Sequence, residues 1–321
     1  MDYPKSVPNV GLVNGKFVDE DTVAGVVGSL IPSAWGNAVT DEIIAVIKEA
    51  GLNPSEPNNA QLLAAIKTMI GRVSGIVGQS LNLKASVGAA SVTCAWTADE
   101  LIVEAALGGL RYCLSNFNKS LTLNAANGVG GMDTGAAPAS GYVGVYAIYN
   151  PTTGVSGLLG VNASASVLPE IYGGANMPAG FTASALISVW PTSASGQLIA
   201  GSQRGREVVR TTGISVLSGS SLSNVFNTIA ISSAAPQNAK SVGGVLGLQA
   251  NVGSGGLALN VASDSAGTGA QGVNGSATTS NGVGGSFQNL AILTLQLIYF
   301  NGLANGPTSY TNTVAINKYS I

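Results

Sequence analysis

The side chains that carry most enzyme chemistry are scarce in this chain. It contains no histidine, the commonest general base and the commonest metal ligand. Glycoside hydrolysis requires two carboxyl groups held at a fixed separation, and beyond residue 111 the only carboxylates are the scattered Asp133, Glu170, Glu207 and Asp264. We therefore predict no catalytic residues, no metal site and no cofactor.

One nucleotide-binding pattern occurs in the segment GTGAQG. Its glycines are Gly267, Gly269 and Gly272, which match GxGxxG. A dinucleotide fingerprint needs a strand before this pattern and a helix after it. Here VNGSATTSNGVGG follows, and that sequence cannot start a helix. The pattern is interpreted as a Gly/Ser-rich loop.

Charged and aromatic side chains in the second half of the chain are candidates for binding. Guanidinium groups match phosphate and carboxylate geometry, so Arg204 and Arg206 are candidates for contacting an acidic group; salt bridges between subunits are the alternative, which we favour. Rings bury a large area at a low entropic cost. The loop-proximal candidates of this kind are Tyr172 with its neighbour Asn176, Trp190 and Tyr310. A packing role is the alternative for all three rings, and we favour it for Trp190. The polar segment 263–281 is a second candidate surface.

The two cysteines are predicted to be buried thiols. Cys94 and Cys113 lie in the strand-like runs SVTCAW and LRYCLS, with LIVEAA between them. The outer strands of such a three-strand meander lie about 10 Å apart, too far for a disulfide.

The composition excludes several classes of protein. Only 9% of the residues are charged, and 45% are apolar, which is unlike a disordered charged tail. The balance of 13 basic against 15 acidic residues leaves no positive patch for nucleic acid. The longest apolar run, LAILTLQLIYF, is about half the length of a membrane-spanning helix. MDYPKSVPNV lacks the apolar core of a signal peptide. We expect a soluble protein made in a cytoplasm, without membrane insertion.

The first 72 residues are predicted to form a small module with a hairpin and two helices. Asn14-Gly15 predicts a two-residue hairpin. Thr40 is predicted to cap the first helix and Gly51 to end it. Asn58 or Asn59 is predicted to cap the second. Two short helices cannot bury both of their apolar stripes by themselves; these stripes are Ile43, Ile44, Val46, Ile47, Ala50 and Leu62, Leu63, Ile66, Met69, Ile70.

The remainder is predicted to be β structure. Short alternating apolar runs such as YVGVYAIY, ASALISVW and ILTLQLIYF recur between Gly, Asn, Ser and Pro clusters. No helices alternate with them, so the pattern favours antiparallel, jelly-roll-like β-sandwiches. We predict a mainly β protein with one sandwich domain at residues 73–212 and a C-terminal β domain at residues 213–321. A single large domain is the alternative.

The N-terminal sequence resembles a known family. MDYPKSVPNVGLVNGKFVDE and the ordered series IPSAWGN, helix, GLNPSE, NAQLLAAI are similar to the start of tail fibre proteins from phages and prophages of Gram-negative bacteria. LGGLRYCLSNF, GGMDTG and SGYVGVYAIYNPTTG resemble the β region that follows in many of them.

The resemblance implies a role in virion attachment. The first 72 residues would bind tail-tip or baseplate proteins, and Phe17, Trp35, Ile43, Ile47, Leu62 and Ile66 are the candidates. The β region would bind a host receptor, a polysaccharide or a type IV pilus, through Tyr172, Asn176, Trp190, Arg204, Arg206 or Tyr310. The fibre would be a homotrimer in the phage tail, assembled in the host cytoplasm. A polysaccharide depolymerase and a purely structural tail connector are the alternatives.

Overall fold

A computed structural model describes residues 3–73 and 75–321. The protein is mainly β, with antiparallel sheets and two helices near the N-terminus, as the sequence predicts. The chain separates into two compact units, one ending with the second helix and the other beginning at Gly75. The first division therefore lies next to the predicted module boundary at residue 72.

The first unit begins with irregular segments that contain the predicted hairpin turn. Asn14 and Gly15 have φ values of 51° and 75°, the left-handed conformation that a two-residue hairpin requires. Val13 and Lys16 exchange both backbone hydrogen bonds, at 3.0 and 3.1 Å. The turn prediction is confirmed.

Helix α1 (Ser33–Glu49) begins earlier than the sequence predicts. It follows Pro32, whose extended backbone stands at the N-cap. Thr40 lies inside the helix, and its hydroxyl donates to the carbonyl of Gly36 at 3.0 Å. The prediction that Thr40 caps the helix is wrong, whereas Gly51 ends it with a φ of 80° as predicted.

Helix α2 (Gln61–Val73) is held against the preceding loop by polar side chains. The side-chain oxygen of Asn58 accepts from the backbone N–H of Ala60 at 3.0 Å. Gln61 accepts from the backbone of Ser55 at 2.7 Å and donates to the carbonyl of Asn53 at 2.6 Å. The buried core of this unit is small and consists of Ile47, Ala50 and Ala65.

The second unit is built from strands. The strands are β1 (Ser80–Leu81), β2 (Lys84–Val87), β3 (Thr93–Glu104), β4 (Arg111–Thr122), β5 (Tyr142–Asn150), β6 (Val155–Asn162), β7 (Ala183–Pro191), β8 (Gly201–Arg204), β9 (Glu207–Gly219), β10 (Asn227–Ala230), β11 (Ser241–Val252), β12 (Gly255–Ala262), β13 (Gln271–Ala277), β14 (Asn281–Ala291), β15 (Leu297–Asn305) and β16 (Ser309–Ser320).

Twelve of these strands form one antiparallel sheet. Its main order is β14-β11-β16-β9-β8-β2-β3-β7-β5-β6, and β1 and β4 also pair with β3. Beyond β4 the sheet curls back, because Thr122 donates to the carbonyl of Gly130 and Gly130 donates to that of Leu158 on β6. Strands β5 and β7 are buried over most of their length, which explains why their sequences read as continuous apolar runs.

A second sheet of four strands has the order β10-β15-β12-β13. Its apolar side chains, among them Leu257, Leu259 and Ile298, share one buried cluster with Leu246, Phe287 and Val314 of the larger sheet. The strands of the two sheets therefore enclose a common core, as expected of a sandwich.

The predicted boundary between residues 212 and 213 lies inside strand β9. This strand pairs with β8 as far as Arg210 and with β16 on both sides of the position, where the β16 ladder skips from Val209 to Ile214. The whole of Gly75–Ile321 forms one compact unit. The structure thus replaces the two predicted β domains with the single large one.

The cysteine region also differs from the prediction. SVTCAW and LIVEAA belong to one long strand, β3, which pairs along its length with β4. Both thiols are free, but only Cys94 is buried and Cys113 is exposed. Strict two-residue alternation would place Cys94 and Ile102, the partner of Cys113, on one face. The alternation changes phase at Asp99 and Glu100 of β3 and at Ser115 and Asn116 of β4, where Asn116 has a φ of 51°, so that one thiol is buried and the other exposed.

No helix in residues 3–73 and 75–321 is long and apolar enough to cross a membrane.

Candidate functional site

Two basic side chains lie side by side on the outer face of the larger sheet. Lys84 on β2 is directly opposite Arg204 on β8 in the strand pairing. Both side chains are exposed, while the adjacent residues on the two strands, Ala85 and Gln203, are buried. This alternation is what fixes the two cations on the solvent side.

Neither cation has an acidic partner in the described part of the chain. Among the residues that the structure describes, no carboxylate lies within 4.0 Å of the Lys84 ammonium or the Arg204 guanidinium. Like charges directly opposite each other weaken a strand pair. Glu207 on β9 is opposite Arg204 in the strand pairing. Its carboxylate, however, forms an ion pair with the ammonium of Lys318, at 3.0 Å.

The two cations are shared by two adjoining depressions, which we call the β2–β8 groove. The larger has a volume of about 630 Å³ and is lined by Ser80, Asn82, Leu83, Lys84, Asp99, Arg204 and Gly205. The smaller, of about 380 Å³, is lined by Lys84, Ala85, Ser86, Ala95, Thr97, Ser202, Gln203 and Arg204. The groove is thus polar and is lined by residues of four strands, β1, β2, β3 and β8.

One carboxylate stands at the edge of the β2–β8 groove. Asn82, in the left-handed conformation with a φ of 57°, donates from its amide to the Oδ2 atom of Asp99 at 2.6 Å. The bond orients the Asp99 carboxylate and leaves acceptor capacity for an incoming hydroxyl. The groove therefore presents cations and hydrogen-bond acceptors together.

Buried hydrogen bonds fix the strand beneath Arg204. The Gln203 side chain accepts from the Trp96 indole at 2.9 Å and donates to the carbonyls of Ile187 and Gly205, each at 2.7 Å. Trp96 packs edge-on against Trp190, with ring centroids 5.9 Å apart. A buried amide with hydrogen bonds to three partners holds β8 in one position.

Trp190 is therefore a core residue, which corrects its prediction as a receptor contact. Only 1% of its surface is exposed. Its indole N–H donates to the carbonyl of Ile199 at 2.9 Å. The packing alternative that the sequence left open is the one observed.

Tyr172 is also buried, and its predicted surface role is corrected in the same way. Its hydroxyl donates to the Asp133 carboxylate at 2.9 Å and accepts from the backbone of Asn176 at 3.2 Å. Burial, the Asp133 hydrogen bond and the Asp133 charge raise the pKa of the Tyr172 phenol. The ring thus orders its loop, while the Asn176 side chain remains exposed.

Arg206 is engaged in an ion pair within the chain. Its two terminal nitrogens bind both carboxylate oxygens of Glu170, at 2.8 and 3.0 Å, and its Nε donates to the carbonyl of Ile321 at 3.0 Å. This bidentate arrangement accounts for the guanidinium without an external ligand. Of the two predicted arginines, Arg204 alone faces the β2–β8 groove.

Tyr310 and the polar segment 263–281 lie elsewhere. Tyr310 is half-buried at the start of β16, opposite Ala250. In the segment, Asp264 accepts from the backbones of Ala266 and Thr268, and the Thr268 bonds lower the pKa of its carboxyl. The loop interpretation of the glycine pattern is confirmed for Gly267 and Gly269, whose φ values are 86° and 65°. It is wrong for Gly272, which lies in strand β13 opposite Asn260.

The N-terminal candidates divide into packed and exposed residues. Phe17 stacks edge-on with Trp35, with centroids 5.1 Å apart, and both are half-buried. Ile47 is buried. Ile43, Leu62 and Ile66 are exposed; Ile43 and Leu62 line an apolar groove between the helices with a volume of about 610 Å³.

The four carboxylates beyond residue 111 all have structural partners. Glu170 binds Arg206 and Glu207 binds Lys318. Asp133 binds Tyr172, and Asp264 accepts backbone bonds in its own turn. In the described part of the chain no three potential ligand side chains cluster as a metal site.

Lys84 is the residue of the groove that the sequence did not identify. The alternation of KASV along β2 places Lys84 and Ser86 on one face. The pairing of β2 with β8, however, joins segments far apart in the sequence. Only the fold therefore shows that Lys84 and Arg204 are neighbours. The chain matches no protein family and no curated protein in sequence comparisons.

Proposed function

We propose that this protein is a tail fibre of a phage or prophage of Gram-negative bacteria that attaches the particle to the host surface without catalysis. The N-terminal unit would bind tail-tip or baseplate proteins. The β unit would bind a surface polysaccharide or a pilus. The fibre would be a homotrimer located in the virion tail and assembled in the host cytoplasm.

The division of the chain into two units of different character carries this proposal. The small first unit leaves the apolar side chains of α2 exposed, as expected of a segment that docks on another protein. The large second unit presents an outward groove on a rigid sheet, and a rigid sheet suits a binding surface. The resemblance of the first 70 residues to tail fibres agrees with this division.

The state of the carboxylates favours binding over a depolymerase. Cleavage of a glycosidic bond needs one carboxyl as an acid and another as a base or nucleophile. Beyond residue 111 each acid is already bound to an arginine, a lysine, a tyrosine or its own turn. In the β2–β8 groove, Asp99 is the one carboxylate among the lining residues.

Immunogold labelling tests the location. Particles released by prophage induction from the strain that encodes the chain are labelled with antibody against residues 75–321 and viewed by electron microscopy. We expect gold at the distal end of the tail. Gold on the head, or particles without any label although the chain is present in the lysate, would contradict the proposal.

A further inference from the structure

The β2–β8 groove places cationic donors and oriented hydrogen-bond acceptors next to each other. Lys84 and Arg204 supply ammonium and guanidinium donors at its centre. Asp99 and Asn82 supply an oriented carboxylate and amide at its edge. Cations suit carboxylates and phosphates, whereas oriented acceptors suit hydroxyl groups.

The uncompensated charge indicates an anionic ligand. Lys84 and Arg204 are directly opposite each other, and within the described residues neither has a carboxylate partner. The acid nearest in the strand pairing, Glu207, is bound to Lys318. An anion from outside would remove the repulsion between the two cations and gain two charge-assisted contacts.

The dimensions indicate a chain-like ligand. The larger depression, about 630 Å³, lies within the range of about 300–1,000 Å³ that is usual for small-molecule sites. The smaller one continues from it past the same two cations and exposes the hydroxyls of Ser86 and Ser202. A polymer can occupy both depressions at once, whereas a single small anion cannot.

We infer that the β2–β8 groove binds an acidic polysaccharide, with a carboxylate or phosphate group on Lys84 and Arg204 and sugar hydroxyls on Asp99 and Asn82. The inference rests on the proposed attachment function and specifies its ligand class. The whole chain has a net charge of −2. General attraction to polyanions is therefore unfavourable, and retention by one must come from a local surface.

The test measures binding of the full-length chain to three immobilised polysaccharides at low salt. Alginate carries carboxylates, phosphomannan carries phosphates, and dextran is neutral. We expect retention on alginate or phosphomannan and none on dextran, and the arm that retains the protein identifies the anion. Added salt should weaken the retention, since exposed charges are screened.

Variants then locate the site. Lys84→Ala and Arg204→Ala should each weaken binding about threefold, and the double variant about tenfold or more. Lys84→Arg, which keeps the charge, should retain most of the binding. Lys240→Ala removes the same charge from an exposed position outside the groove and should have no effect. Circular dichroism and the melting temperature confirm that each variant is folded.

Three results would overturn the inference: no retention on either acidic polymer, equal retention on dextran, or full retention of the double variant. A parallel arm applies the fluorescent full-length chain to a panel of Gram-negative cells. If cells bind the wild type and the double variant equally, the inference fails and the attachment function stands. If no cells bind the wild type, the attachment function fails as well.

Discussion

Glu104 is a buried carboxylate whose oxygens are all used within the fold. Its side chain accepts from the Arg111 guanidinium at 2.8 Å and from the backbones of Val77 and Gly108 at 3.0 and 3.2 Å. These bonds tie the β3–β4 hairpin loop to the start of the second unit. The Glu104 carboxylate is therefore held by three donors while its own side chain is almost completely buried.

Substitution of Glu104 should cost much of the stability of the second unit. Glu104→Gln removes the carboxylate that three donors share, and losing hydrogen bonds to a buried charged group costs about 2 kcal/mol or more. Glu100→Gln on the same strand, where the side chain is exposed, is the control and should change stability by less than about 0.5 kcal/mol. Urea unfolding measures both, and equal effects would contradict the role of Glu104.

Arg210 is a second buried charged residue, and its partner is a tyrosine, not an acidic side chain. Only 7% of its surface is exposed, and its guanidinium donates to the Tyr142 hydroxyl at 3.1 Å and lies 5.8 Å from the centre of that ring. Its Nε has no hydrogen-bond partner. Tyr142→Phe keeps the ring but removes the acceptor, so it should cost about 2 kcal/mol. Tyr310→Phe, on a half-buried ring elsewhere, is the control. An unchanged unfolding midpoint for Tyr142→Phe would contradict this account of Arg210.

The two thiols should differ in reactivity. Cys113 is exposed and Cys94 is buried, and burial raises the pKa of the Cys94 thiol from 9.0 to about 11. At pH 8 we expect a thiol reagent to modify one cysteine of the native chain, and the second only after unfolding. Mass spectrometry of the peptides identifies the site, and early modification of Cys94 would show that β3 opens readily.

The same pKa shift predicts a loss of stability in alkaline solution. A folded-state pKa above the unfolded value of 9.0 means that the unfolded chain releases the proton first. The contribution is therefore complete below pH 9.0 and is lost as the pH rises toward 11. Cys94→Ala removes this contribution, so its stability should fall less than that of the wild type between pH 8 and pH 10.5. Equal slopes would contradict the shift.

At the scale of elements, α2 carries a row of five exposed apolar side chains. Leu63 and Ile70 are 57% and 60% exposed, and Leu62, Ile66 and Met69 are exposed as well. Two short helices with a core of Ile47, Ala50 and Ala65 have no room for them. Under the proposed function, subunits of the assembled fibre or proteins of the tail would cover this face.

Charge on this face should weaken self-association. We expect the wild-type chain to sediment as an oligomer and the variant Ile66→Glu, Ile70→Glu to shift toward a smaller species, because burying a carboxylate in an apolar contact is costly. Lys67→Glu on the same helix is the control and should sediment as the wild type. A monomeric wild type in analytical ultracentrifugation would contradict self-association through α2.

Local chemistry predicts the turns and the strand-forming runs but not their partners. Asn14-Gly15 and Gly51 adopt the left-handed conformations that their sequence predicts. Thr40 is not the cap of α1, because the helix already begins at Ser33, directly after Pro32. The sequence predicts separate strands at SVTCAW and LIVEAA, whereas pairing with β4 joins them into the single strand β3.

At the scale of the whole molecule, the sequence could not reveal which strands become neighbours. The ladder from β9 to β16 joins the two halves of the β region and removes the predicted boundary at residue 212. The same long-range pairing puts Lys84 beside Arg204 and joins Gln203 to Trp96, which packs against the buried Trp190. Which residues share a site depends on strand pairing and could not be predicted without the fold. The scarcity of catalytic side chains was evident from the composition.

Attachment without bond cleavage is the central claim, and one assay measures both parts of it. Fluorescent full-length chain is incubated with a panel of Gram-negative cells, and the surface polysaccharide recovered from each is assayed for new reducing ends. We predict retention on particular strains with no increase in reducing ends over time. Reducing ends that accumulate in proportion to added protein, or a failure to bind any strain, would contradict the account.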